Sequence, residues 1–176
     1  MSKPILVKNF ISNDEQKLLS TMGKIFLRSN KHHFDHQNGA AIATYSMTVT
    51  EALLVNKLKL MREKTGKKLV PSNSFSRIYT KYCFLGKHTD RPTCEYSVTV
   101  FIDSCRTYEW PLYIDGVPYH LEPGDAIIYE GCNYEHWREE FLGDWHFQCF
   151  LHYVDEEGPY SDHVYDKRKT LGDSKW

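Results

Sequence analysis

The sequence of 176 residues carries 22 Lys and Arg against 23 Asp and Glu, a formal net charge of −1. That balance offers no basic field for nucleic acid and no charge excess of the kind that keeps a chain disordered. The first apolar run, Ile5-Leu6-Val7, is far too short for a membrane span or a secretory leader, so neither membrane nor nucleic acid is expected as a partner.

The length fits one domain over residues 1–176. The cysteines Cys83, Cys94, Cys105, Cys132 and Cys149 are odd in number and contain no C-x-x-C pair. This predicts reduced thiols and a cytoplasmic setting. In chain order, residues 5–10 read as a short strand. Ser12 and Glu15 have capping-box spacing, which predicts a helix with Leu18, Leu19, Met22 and Phe26 on one face. Residues 29–38 read as a polar connection and 40–45 as a strand. Thr48 and Glu51 repeat the capping-box spacing. A second helix is expected to about Lys64, with Leu53, Leu54, Leu58 and Met61 inward and Gly66 as its stop.

From residue 68 the pattern changes to strands separated by turns. Residues 75–84 and 95–103 read as strands. Residues 110–114 and 117–121 read as a hairpin about Asp115-Gly116. Strands at 126–129 and 146–154 complete the set, the former preceded by the turn Glu122-Pro123-Gly124-Asp125. The expected fold is α+β: a double-stranded β-helix (jelly-roll, cupin-like) core with N-terminal helices packed on one sheet. Residues 1–67 then form helical support, 68–155 the β core, and 156–176 an exposed tail on which Tyr160, Tyr165 and Trp176 are the candidates for docking.

The chemistry concentrates at His88-Thr89-Asp90. An imidazole and a carboxylate two residues apart on extended backbone point to one side and can hold one metal ion. His136, after the strand at 126–129, is the best third ligand. Two His and one carboxylate leave open positions, as in non-haem Fe(II) oxygenases. The chain carries its own control: His33-Phe34-Asp35 has the same spacing but lies in the polar connection beside His32 and His36, with no strand array after it. It reads as a solvated loop.

His88-Thr89-Asp90 and His136, with the Glu122–Asp125 turn and its strand between them, resemble the Fe(II)- and 2-oxoglutarate-dependent dioxygenases, closest to the prolyl 4-hydroxylase-like branch. The resemblance spans roughly residues 75–155. That branch often carries a Tyr nine residues before the first His, which Tyr79 matches; Tyr82 stands where the branch often has Gly. The resemblance implies Fe(II), 2-oxoglutarate as cosubstrate and ascorbate as reductant. It also implies a hydroxylase that couples decarboxylation to succinate with hydroxylation of a peptide (a prolyl residue in that branch) or a small molecule. With Asp90 in place, hydroxylation is expected over halogenation.

One departure bears on the cosubstrate. Where the family usually has Arg or Lys, nine or ten residues after the second His, this chain has Trp145 and His146. Alternation along the last strand puts His146, Gln148, Phe150 and His152 on one face. The expected cosubstrate contacts are therefore Tyr79, His146 (if protonated), Gln148 and Arg138, with Arg77 and Lys81 as other cations. His152 is a supporting partner or a core imidazole. Arg91, Trp110 and Trp137 are the candidates for substrate contact. A cupin-like barrel that binds metal without an oxo acid is the alternative function, and a non-enzymatic interaction domain is a third.

Overall fold

The computed structural model describes residues 3–29, 33–35 (backbone), 38–39, 41–105 and 109–173. Two antiparallel sheets face each other. The larger runs β1 (Ile5–Val7), β9 (Ala126–Glu130), β6 (Tyr96–Ser104), β11 (Trp145–Asp155), β4 (Leu69–Thr80), β3 (Ala41–Tyr45) and β2 (His33–Asp35). The smaller runs β5 (Leu85–His88), β10 (His136–Arg138), β7 (Leu112–Ile114) and β8 (Val117–Tyr119). This is the double-stranded β-helix expected from the strand pattern. The N-terminal region is more than helical support, because β1, β2 and β3 extend both edges of the large sheet.

Alternation sorts the large sheet into two faces. Outward go Ile78, Val98, Val100, Phe147, Cys149, Leu151 and Tyr153, all buried beneath two helices. Helix α1 (Asn13–Arg28) begins with the expected box: Glu15 N–H donates to Ser12 Oγ at 3.2 Å and Ser12 N–H to Glu15 Oε2 at 2.7 Å. A Cβ on Gly23 would stand 2.6 Å from the Phe147 ring, so the bare glycine lets α1 lie against β11. Docking along that line buries Leu19, and Leu18, expected inward, faces solvent at 62% exposure. Helix α2 (Thr48–Thr65) buries Leu53, Leu54 and Met61, and Gly66 caps it.

The second capping box does not form. Met47 is the N-cap, without a side-chain bond, and Thr48 is already helical. The reason is that the Glu51 carboxylate, needed for the return bond, is buried and claimed by Arg168 Nη2 at 2.5 Å and by the Gly172 N–H.

Other expectations are corrected by backbone pairing. His33–Asp35 is a strand on β3 rather than a solvated loop, because its backbone completes the sheet edge. The expected strand 75–84 starts earlier, at Leu69, and stops at Thr80. Residues 81–84 turn, with Tyr82 at φ 72°. That left-handed conformation is the one a Gly takes without cost, and a non-Gly residue pays about 1–2 kcal/mol for it. Backbone bonds in both directions hold the turn, Tyr82 N–H to the Phe141 carbonyl and Phe141 N–H to the Cys83 carbonyl, each 2.7 Å. The tail is no free extension either. A 3-10 segment, Ser161–Lys167, lies on β4 and buries Asp166. Trp176 lies outside the described residues. None of the five cysteines is in a disulfide. No helix among the described residues is long and apolar enough to cross a membrane.

Candidate metal centre and its cavities

The inner faces of the two sheets carry the polar residues. On the small sheet β10 pairs with β5, and the register sets His136 directly opposite His88. Two imidazoles far apart in sequence therefore become cross-strand neighbours, with ring centroids 4.3 Å apart. Asp90 follows β5, and its Oδ1 lies 3.6 Å from Nε2 of His88 and 3.6 Å from Nε2 of His136. One ligand atom from each of the three lies within 4.8 Å of the others.

The hydrogen bonds around these side chains choose which atoms are free. His88 Nδ1 lies 2.7 Å from the Gly86 carbonyl and His136 Nδ1 lies 3.0 Å from the Tyr134 carbonyl. A carbonyl only accepts, so both Nδ1 atoms carry the hydrogen and both Nε2 lone pairs face Asp90. Asp90 Oδ2 accepts from the Ser97 hydroxyl at 2.7 Å, which leaves Oδ1 on the side of the imidazoles. Ser97 Oγ is in turn 3.0 Å from His152 Nδ1. Burial draws the His152 pKa down to about 4. The neutral ring donates to Ser97, and Ser97 donates to Asp90.

The backbone closes around the carboxylate. Asp90 N–H donates to the Gly131 carbonyl at 2.8 Å. A Cβ on Gly131 would sit 2.3 Å from Asp90 Oδ2, 2.5 Å from the Cys94 carbonyl and 2.6 Å from Ser97 Oγ. Only glycine fits that approach.

Electrostatics agree with a cation site. Burial pushes the Asp90 carboxyl up, but the His88 bond, then the charges of His136 and His152 and the Ser97 bond, outweigh it and hold it at about 2. The Asp90 bond raises His88, and burial lowers His136. Asp90, Cys94 and His152 form a second grouping with similar spacing. There burial pushes the Cys94 thiol up to about 12, so it stays protonated and ligates poorly. The two-imidazole, one-carboxylate set is the better match to a divalent first-row ion with open positions.

A cavity of about 380 Å³ opens over these three side chains, and Arg77, Arg91, Tyr129 and Phe150 are among its walls. A second cavity of about 360 Å³ is lined by Arg138, His146, Gln148, Trp110 and Phe101. Arg138 lies two residues beyond His136 on β10 and is buried like it. Tyr129, a wall of the first cavity, feels both the Asp90 and the Arg138 charge.

The expected cosubstrate residues sort by depth. Tyr79 is fully buried, and its hydroxyl accepts from Arg77 Nη1 at 3.2 Å. Arg138 Nη1 donates to the Trp110 carbonyl, and its Nη2 lies 3.1 Å from the Gln148 amide oxygen in the orientation that satisfies the amide, whose nitrogen then donates to the Val100 carbonyl at 3.0 Å. Arg138 makes no ion pair with a carboxylate among the described residues, and its Nε has no hydrogen-bond partner. His146 corrects the expectation of a protonated imidazole. Burial and the Arg138 charge hold its pKa well below the ordinary value, so it is neutral. Lys81 is exposed, over the Tyr82 ring, and does not reach inward.

Two substrate candidates move. Trp110 is packed on Tyr79, at 4.7 Å between centroids, and is a wall of the second cavity. Trp137 points to the outer face of β10, stacked on Tyr113 at 5.2 Å with Lys87 Nζ 4.1 Å from its ring centre. Arg91 stays at the first cavity, tied to Asp166 by bonds of 2.9 and 3.3 Å. Ser97, Gly131 and Asp166 also shape the site and lie in no motif of the sequence. Ser97 follows from the period of the strand after Asp90, since it faces inward with Thr99; nothing local marks the other two.

The fold is that of the Fe(II)/2-oxoglutarate oxygenases. The chain is similar in structure to a prolyl-4-hydroxylase from Pseudomonas putida, with TM-score 0.69 and 13% identity over 86% of this chain and 92% of that one. It is similar to SnoN, the non-heme alpha ketoglutarate dependent epimerase of nogalamycin biosynthesis, with TM-score 0.73 and 8% identity over 96% and 85%. It is also similar to HygX from Streptomyces hygroscopicus, solved with nickel and 2-oxoglutarate bound, with TM-score 0.68 and 10% identity over 88% and 83%. No protein-family profile and no curated protein matches the sequence.

Proposed function

We propose that the protein is an Fe(II)- and 2-oxoglutarate-dependent hydroxylase whose metal is held by His88 and His136 through Nε2 and by Asp90 through Oδ1. The observation that carries this reading is the convergence of those three atoms, with both Nδ1 atoms and Oδ2 already committed elsewhere. When bound, Fe(II) supplies the activation of dioxygen. The overall reaction balances as substrate C–H, O2 and 2-oxoglutarate giving C–OH, succinate and CO2, with one oxygen atom in the alcohol and one in succinate.

The chain's own residues bind and orient. Ser97, backed by His152, holds Asp90 in one rotamer. Arg138 is the proposed partner of the distal carboxylate of the oxo acid, with Tyr79 and Gln148 beside it. Two strand rises separate Arg138 from His136, about 6.6 Å along the barrel, a span that suits a five-carbon diacid. A buried guanidinium without a carboxylate is costly, and a dicarboxylate cosubstrate supplies the missing charge. Neutral His146 supports the Gln148 amide. The resemblance implies a prolyl substrate, and the similarity to HygX, solved also with hygromycin B, sets a small molecule beside it.

Succinate formation from 2-oxoglutarate with Fe(II) and ascorbate tests the reading. Turnover is expected in wild type and lost in Asp90→Ala. A metal-loaded protein that gives no heat with 2-oxoglutarate would instead support a cupin-like binder that does not use the oxo acid.

A further inference from the structure

Helix α1 buries one side, at Leu19, Ser20 and Gly23, on the large sheet. On its opposite side Asp14, Leu18, Thr21, Ile25 and Arg28 are all exposed. Leu18 and Ile25, at 62% and 65%, are the most exposed large apolar side chains among the described residues. Steps of four, three, four and three residues separate the five. That is the spacing of a seam between two coiled helices. Apolar residues scattered singly over a surface are ordinary. Two of them on the crest of one helix, set between charges of opposite sign, form a pattern. Asp14 opens the stripe in the first turn and Arg28 closes it in the last. Their neighbours Glu15 and Lys24 are bound to Lys57 and Asp103, whereas neither Asp14 nor Arg28 has an ion-pair partner among the described residues.

The stripe is complementary to itself when reversed. Laid antiparallel about a two-fold axis beside Thr21, Leu18 meets Ile25 of a second copy and Asp14 meets Arg28 of that copy. The symmetry makes each contact twice. The N-terminus of each helix then lies beside the C-terminus of the other, so the helix dipoles attract. Thr21, small and at the axis, lets the two backbones approach. Two free helices of this length would not associate. Here α1 is already held in shape by its capping box and by the sheet beneath Gly23, so pairing carries no cost of forming the helix. On one flank Lys17 approaches Lys24 of the second copy, and Asp103, 3.0 Å from Lys24 Nζ, takes up part of that charge. We infer that α1 is a contact surface for a second copy of this chain, paired antiparallel through Leu18 and Ile25 with Asp14 and Arg28 at its ends. The seam is about 21 Å long, a length that suits a reversible dimer rather than a permanent one. No α1 residue lines either cavity, so pairing leaves both open. The inference is independent of the metal chemistry proposed above.

Sedimentation equilibrium of the full chain over about 10 to 500 µM tests it. Wild type is expected to exchange between monomer and dimer with a dissociation constant on the order of 100 µM. Leu18→Glu should raise that constant by at least about tenfold, since it sets a charge in the apolar centre of the seam. Asp14→Arg and Arg28→Asp each turn two attractions into two like-charge contacts, and each alone should weaken the dimer about fivefold or more. The double variant should return to within about twofold of wild type. An equimolar mixture of the two single variants should also dimerise as wild type does, because each chain supplies the charge that the other needs. The double variant carries both reversals at the helix ends, so its recovery separates pairing from any loss of helix stability. A chain still monomeric at about 500 µM overturns the inference. So does a dimer that Leu18→Glu or the single reversals leave unchanged, which places the contact on another face. A double variant or a mixture no better than the single variants overturns it too, by excluding the antiparallel arrangement.

Discussion

The proposed role of Arg138 predicts that Arg138→Met affects the apo protein and a 2-oxoglutarate complex differently. Arg138 is 3% exposed, and burial draws the guanidinium pKa from 12.5 to about 10. That drop corresponds to a penalty of about 3 kcal/mol on the charged form. Because the folded-state value lies below the unfolded one, the penalty is present in full below pH 10. Against it stand the bonds to the Trp110 carbonyl and the Gln148 amide oxygen, each worth about 1.5–3 kcal/mol as bonds to a charged donor. The two sides nearly cancel. Arg138→Met is therefore expected to unfold within about 2 kcal/mol of wild type, although it removes a fully enclosed side chain. With a dicarboxylate bound the balance changes, because the lost partner leaves a buried carboxylate unpaired at a cost of about 3–5 kcal/mol. The dissociation constant should rise by more than about 100-fold. Thermal unfolding of Mn(II)-loaded protein reads both effects. At about 100 times its dissociation constant, 2-oxoglutarate stabilises wild type by roughly 2.7 kcal/mol, or about 5–10 °C for a chain of this size. The variant should shift by no more than about 0.4 kcal/mol, or about 1–2 °C, at the same concentration. An equal upshift in Arg138→Met would refute the reasoning.

Three further outcomes follow from other contacts. Gly131→Ala drives a methyl group into Asp90 Oδ2 and the Cys94 carbonyl; it should cost about 1–3 kcal/mol of stability and weaken Mn(II) binding about 10- to 100-fold, and an unchanged isotherm would count against the packing argument. His146 has a folded-state pKa below its unfolded value, first through burial and then through Arg138, so its contribution is present above pH 6.5 and lost as pH falls. Below pH 6.5 stability should fall by about 1.4 kcal/mol per pH unit from this group, and urea titrations at several pH values should show a shallower slope in His146→Phe. Glu51→Gln removes the counter-charge of the Arg168 guanidinium, which keeps its bonds to the Tyr165, Asp173 and Ser72 carbonyls, and should cost about 3 kcal/mol by urea unfolding; a loss under about 1 kcal/mol would mean that the pair is solvated.

The convergence of the proposed metal ligands was legible in part because their pattern is local. His88 and Asp90 share a side by strand period, and His136 follows a strand whose apolar run is unmistakable. Their pairing was not legible, because β5 and β10 are only four and three residues long and carry too few positions for alternation to register. The charge state of His146 was not legible, for a different reason. Spacing from the second His pointed to His146, but charge there depends on burial and on Arg138, which only the packed barrel brings near. Leu18 shows the same limit on a helix: periodicity found the stripe, and Gly23 against Phe147 decided where its centre fell. Thr48 carried a sound capping signal, and a distant arginine, Arg168, removed the carboxylate it needed.

Strand β11 pairs with β6 on one side and β4 on the other, though it follows every other strand in the sequence. During synthesis the ribosome must release it before the two halves of the large sheet can meet. Until then the paired imidazoles have no opposite wall, and Ser97 lacks the ring that orients its hydroxyl. Capture of the proposed metal is therefore expected to follow translation, and nascent chains arrested short of residue 145 should bind Fe(II) far more weakly than the finished chain.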